Sequence, residues 1–155
     1  MHNWFTCKVS YEKRLENGMQ KKVTEPYLVD ALSFTEAEAR IIEEIRPYIS
    51  GEFTVADVTR ARISEIFWDQ SGDRFYRIKV WFITLDEKSG TEKKTSVTML
   101  AQASTLKEAI ETLEVGMRGT MADYVIGSVA ETPIMDVFPY EAKTEEKGAA
   151  APDVS

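Results

Sequence analysis

The chain has 155 residues, 43% apolar and 29% charged, with a formal net charge of −7, a composition that fits one folded core and is too apolar for intrinsic disorder. No run approaches the roughly 18 apolar residues of a membrane helix, and the opening Met1-His2-Asn3-Trp4 lacks a signal-peptide pattern, so no membrane association and a cytoplasmic location are expected. A single cysteine, Cys7, and a single histidine, His2, on the N-terminal segment, exclude an internal disulfide and Cys-x-x-Cys zinc sites and leave Ser-His-Asp, Cys-His and histidine-based metal chemistry without a required member.

From the N-terminus, Trp4 to Tyr11 alternates as a strand does, with Phe5, Cys7, Val9 and Tyr11 on one side and Trp4, Thr6, Lys8 and Ser10 on the other. Asn17-Gly18 marks a hairpin turn, where positive φ is needed. The return strand leads to Ser33-Phe-Thr-Glu36, a capping box in which hydroxyl and carboxylate satisfy free backbone donors at a helix start. Phe34, Ala37, Ile41 and Ile45 then form one apolar stripe, and Pro47 and Gly51 end the helix. Residues 52–67 read as two short strands broken near Arg62, and 68–74 as a connector.

The same order then recurs. A shift of 71 aligns Trp4–Val9 with Phe75–Val80, a shift of 72 aligns Ala31–Ala37 with Ala103–Ala109, and a shift of 71 aligns Ile63–Phe67 with Ile134–Phe138. The second hairpin turns at Ser89-Gly90, and the second helix opens on Thr105 with Glu108, places Leu106, Ala109, Leu113 and Met117 on its stripe, and ends at Gly116 and Gly119. Residues 123–138 repeat the final pair of strands, broken at Pro133. The expected fold class is therefore α+β: an internal duplication of a ββαβ(β) unit, with antiparallel sheets, one helix per repeat and a pseudo-two-fold relation. Residues 1–140 form a single expected domain of two repeats, 4–67 and 75–138, followed by a disordered acidic tail at 141–155.

Phosphate loops, nucleophile elbows, calcium loops and dinucleotide fingerprints are absent from the sequence, so a non-enzymatic protein without catalytic residues, metal or cofactor is expected. The helix carboxylates read as solvated faces, Cys7 as a small buried hydrophobe, and Glu65 with Asp136 as equivalent strand-end acids. The outward side of the hairpins is the informative feature. Strand segments 4–11, 21–31, 74–85 and 92–103 carry eight Lys or Arg against three acids, whereas helical segments 35–48 and 105–118 carry seven acids against four bases. Rings and cations alternating on one sheet face hold single-stranded nucleic acid by base stacking and phosphate neutralisation. The expected contacts are Trp4, Phe75 and Trp81 to bases, and Lys8, Lys22, Arg77, Lys79 and Lys94 to phosphates. The alternative is a protein-interaction module, a homodimer or a host-partner binder, that uses the same face without nucleic acid.

Three stretches, Asn3-Trp-Phe-Thr-Cys-Lys-Val9, Thr24-Glu-Pro-Tyr-Leu-Val-Asp-Ala-Leu-Ser-Phe-Thr-Glu-Ala-Glu-Ala39 and Ala130-Glu-Thr-Pro-Ile-Met-Asp-Val-Phe-Pro-Tyr140, carry a resemblance. The chain resembles the domain of unknown function 4494 family of gut bacteria and their phages. That resemblance supplies no binding or catalytic residue; its phage association implies a DNA-replication or host-interaction role. The order of four strands between the two helices is also similar to that of the transcription-coactivator-like single-strand DNA-binding domains.

Overall fold

A computed structural model describes residues 2–140; the expected tail at 141–155 lies outside the described residues. The elements run β1 (Trp4–Arg14), β2 (Gln20–Asp30), α1 (Phe34–Ile45), a 3-10 turn (Arg46–Tyr48), β3 (Phe53–Ala61), β4 (Glu65–Phe67), β5 (Arg74–Leu85), β6 (Glu92–Ala103), α2 (Leu106–Gly116), β7 (Asp123–Glu131) and β8 (Val137–Phe138). They gather into two compact units, one built from residues up to Ala61 together with those from Ile134, the other from Arg62–Pro133.

In the first unit the sheet order is β3-β1-β2-β8. β1 pairs antiparallel with β2 from Trp4↔Asp30 to Arg14↔Gln20, a register that the turn at Gly18, with φ of 85°, closes. β1 also pairs antiparallel with β3, with a bulge between Lys8 and Val9. The inward side chains Phe5, Cys7, Val9, Val29 and Ala31 meet Ala37, Ile41 and Ile45 of α1. Each large aliphatic side chain buried there contributes about 1.5–3 kcal/mol. Ser33 caps α1, its hydroxyl accepting from the Glu36 amide at 3.1 Å, while the Glu36 carboxylate accepts from the Leu32 amide at 2.8 Å. Phe34, placed by periodicity on the apolar stripe, is instead half-exposed and touches the Phe5 ring edge-on at 5.0 Å. As the first residue of the helix it projects beyond the end of the stripe.

In the second unit the order is β4-β6-β5-β7. β5 pairs antiparallel with β6 and with β7, here with a bulge between Lys79 and Val80. Tyr76, Ile78, Val80, Met99 and Ala101 pack against Ala109, Leu113 and Met117. Thr105 caps α2, accepting from the Glu108 amide at 3.1 Å, and Leu106 is half-exposed as Phe34 is.

The protein is thus α+β, with two helices and two four-stranded sheets. The sheets are mixed rather than antiparallel as expected: β8 runs parallel to β2 through Leu28↔Val137 and Val29↔Phe138, and β4 runs parallel to β6 through three pairs. Strands of two and three residues carry too few alternating positions to announce their direction. β4 lies in the second unit's sheet and β8 in the first unit's, each beyond the point where the expected repeats would divide. Among the described residues no helix is long and apolar enough to cross a membrane.

Candidate nucleic-acid interface

β5 runs through the middle of its sheet, so its outward residues have neighbours on both sides. By register Arg77 stands between Leu100 and Ala130, Lys79 between Thr98 and Ser128, and Trp81 between Ser96 and Val125, while Lys94 of β6 stands opposite Ile83. Arg77, Lys79 and Lys94 are exposed, Trp81 is half-buried, and the Lys79 ammonium lies 4.7 Å from the centre of the Trp81 ring. No carboxylate occupies a position directly across from any of these three cations. The second unit therefore brings together four of the expected contacts on one face.

A glycine makes the ring's position possible. Gly127 falls at the β7 bulge, and a Cβ built there would lie 2.6 Å from Trp81 Nε1 and 2.8 Å from its Cδ1. The indole thus rests where any other residue would place a side chain.

The first unit differs. Lys8 stands opposite Asp57 of β3, and Lys22 stands opposite Glu12 of β1, so both expected cations are exposed but each faces a carboxylate across the sheet. The position that the 71-residue shift aligns with Trp81 is Ser10, which is buried and bonded to Thr24 Oγ1 at 2.8 Å. Trp4 and Phe75, expected as stacking platforms, are only 4% exposed. Trp4 stacks on the His2 ring at 5.2 Å, and Phe75 packs perpendicular to Trp68 at 6.0 Å. Alternation says nothing of what covers a side of a strand, and neither ring is open to a base.

The family described as Domain of unknown function (DUF4494) matches residues 3–140. The chain belongs to the DUF4494 family. No curated protein matches it closely enough to count as a relative.

Elsewhere in this DUF4494 domain the reactive side chains are held as structure. Cys7 is buried, its Sγ lying 3.9 Å from the Ala37 carbonyl, and burial followed by the charge of Glu38 pushes its thiol up to about 11. Tyr11 donates to Glu25 at 2.8 Å, and partial burial together with that bond pushes its phenol up to about 12. Glu65, expected as a strand-end acid, is exposed, and Asp136 accepts from the Val137 amide at 2.8 Å. Among the described residues no three His, Cys, Asp or Glu side chains gather closely enough to hold a metal ion. Gly127, which seats the Trp81 ring, was not among the residues expected at this candidate site. A glycine inside the strand pattern Val125-Ile-Gly-Ser-Val129 was the available signal, since such a glycine marks a bulge or a close approach.

Proposed function

We propose that this DUF4494 domain is a non-enzymatic protein that binds single-stranded nucleic acid on the outer face of the second unit's sheet. Trp81 stacks a base once the Lys79 ammonium leaves its place over the ring for a phosphate, and Arg77 and Lys94 contact phosphates beside it. Lys8 and Lys22, each facing a carboxylate, contribute less. The observation that carries this reading is the Lys79 ammonium over the Trp81 ring at 4.7 Å, on a face with no acid directly across from its cations. A ring flanked by cations offers stacking without base preference and counterion release together. It also reconciles binding of a polyanion with a net charge of −7, because charge at the contact acts within a Debye length of about 10 Å at 0.1 M salt.

The test is fluorescence anisotropy of a labelled mixed-sequence oligonucleotide at low salt. Trp81→Ala is expected to weaken binding by about 1–3 kcal/mol with little change in salt slope, and Lys79→Ala to lower that slope by about 0.7. Wild-type protein that does not bind at low salt, where attraction is strongest, sinks the proposal. One observation favours a second reading, docking against another protein chain: Val125, opposite Trp81, is 46% exposed and extends the apolar surface towards Ile83. Under that reading Trp81→Ala turns a dimer into a monomer in sedimentation and leaves no nucleic-acid binding to lose.

We also infer that the chain arose by duplication of one unit. The matched sheet orders, the bulges at Lys8/Val9 and Lys79/Val80 and the two capped helices support this. A backbone superposition of β1, β2, α1 and β3 on β5, β6, α2 and β7 that fails to place Ser33 on Thr105 would count against it.

A further inference from the structure

A groove of about 830 Å³ runs between α2 and the chain that leaves β4, on the helix side of the second sheet. Its apolar lining includes Val115, 54% exposed, and Trp68, 44% exposed, and its polar lining includes Asp69, Glu108 and Glu111 with no basic residue. The Trp68 ring is held nearly perpendicular to that of Phe75, their centres 6.0 Å apart. The Asp69 amide donates to Gln102 Oε1 at 3.1 Å, while Gln102 Nε2 donates to the Gly72 carbonyl at 3.2 Å. Ser71 donates to the Asp69 carboxylate through both hydroxyl, at 2.7 Å, and amide, at 3.1 Å, which holds that carboxyl below its usual range. Ring and carboxylate therefore stand on a connector that is already ordered.

The first unit shows what such a place accepts. Between α1 and β8, the Arg40 guanidinium bonds the carbonyl of Asp30 and approaches that of Phe138 at 3.4 Å. It also pairs with Glu44 at 3.7 Å and lies 4.9 Å from the centre of the Tyr140 ring. Arg40 is seven residues beyond the cap Ser33; the residue seven beyond the cap Thr105 is Thr112, which lines the groove. Where one unit fills the place with its own arginine, the other has a short side chain, an exposed indole and three carboxylates.

We infer that the α2 groove receives an arginine side chain from a partner protein, its guanidinium lying on Trp68 and facing Asp69, Glu108 and Glu111. Two features select this occupant. The groove's charge is complementary to a cation, and a guanidinium is flat enough to lie on an indole while its donors reach carboxylates. This inference is independent of the nucleic-acid reading, since it uses α2 and the β4 exit rather than the outer face of β5.

The experiment titrates full-length protein with the peptide acetyl-Gly-Arg-Gly-amide at low salt, following the Trp68 indole N–H by NMR, with the citrulline peptide as a neutral isostere. The arginine peptide is expected to shift the Trp68 resonance in a saturable, salt-sensitive way, and the citrulline peptide to leave it unmoved. Thr112→Arg, which supplies the missing side chain from within, is expected to reduce the peptide's affinity at least roughly tenfold, and Trp68→Phe, followed through the peptide's own arginine Nε–H resonance because the indole is gone, to reduce it about two- to fivefold. Glu111→Gln gives a milder variant that weakens binding while leaving the groove's shape intact. Equal binding of the citrulline peptide, an unaltered affinity in folded Thr112→Arg and Glu111→Gln, or no shift with the arginine peptide overturns the inference.

Discussion

Replacing Gly127 by alanine tests the outer face without removing any of its functional groups. The new Cβ would lie 2.6 Å from Trp81 Nε1, so the indole has to retreat to beyond 3.4 Å before contact is ordinary. It cannot do so and keep both its seat on the β7 bulge and its place beneath the Lys79 ammonium. The fold should tolerate the change, because Gly127 does not have positive φ and glycine within a strand costs roughly 0.5–1 kcal/mol relative to alanine. That gain offsets much of the strain of moving a half-buried ring, and the melting temperature should shift by only a few degrees. Single-strand affinity should fall by about 1 kcal/mol, roughly fivefold, short of the 1–3 kcal/mol for complete loss of a stacked ring. Anisotropy titration measures the affinity, and the Trp81 indole resonance reports whether the ring has moved. A displaced resonance with unchanged affinity would show that stacking on Trp81 plays no part.

Three further outcomes follow from the packing. Ser33→Ala and Thr105→Ala should each cost about 1 kcal/mol in urea denaturation, since each removes a hydroxyl that accepts from an N3 amide at 3.1 Å. Cys7 should resist a disulfide-exchange reagent in the native protein at pH 8 and react only on unfolding, because its thiol is buried and raised to about 11; rapid labelling of native protein would refute this. For Tyr11 the folded phenol sits at about 12 against an unfolded value of 10.0. Its contribution is therefore whole below pH 10 and is lost as pH rises towards 12, so wild type should lose stability over that window more steeply than Tyr11→Phe.

Local chemistry made most of the element order legible. Gly18 and Gly90 required turns, Ser33 and Thr105 with their glutamates required helix starts, and Ala37, Ile41 and Ile45 with Ala109, Leu113 and Met117 required one buried helix face. These are short-range demands that the sequence states directly. What it did not state were the long-range consequences. β4 and β8 are too short to reveal their parallel pairing, and alternation placed Trp4 and Phe75 outward without revealing that both are covered. The charge count was right in sum and incomplete in detail, since the strand register sets Asp57 against Lys8 and Glu12 against Lys22 but sets no acid against Lys79. The groove beside α2 was equally hidden, because Trp68 and Glu111 lie 43 positions apart in the sequence and meet only through the fold.

The differences between equivalent positions run in one direction. Lys8 faces Asp57 whereas Lys79 faces Ser128, and Ser10 is a buried hydroxyl whereas Trp81 is a half-buried ring beside Gly127. Arg40 is satisfied inside its own unit whereas Thr112 borders an open groove. In each pair the first unit's residue has a polar or charged partner within its own unit, and under the proposed readings the second unit's residue meets its partner from outside. The pair at Lys79 can be reversed by one substitution, Ser128→Asp, which restores across from Lys79 the carboxylate that faces Lys8. Ser128 is exposed, so stability should change by no more than about 0.5 kcal/mol, and the Trp81 ring stays where it is. The ammonium would then already have a counter-charge in the free protein and would release less counterion on binding. The salt slope for single-strand binding should fall by up to about 0.7, the increment for one phosphate contact, with affinity lost mainly at low salt. A slope equal to that of wild type, in protein shown to be folded, would mean that Lys79 does not touch phosphate and that the open charge on this face serves another ligand.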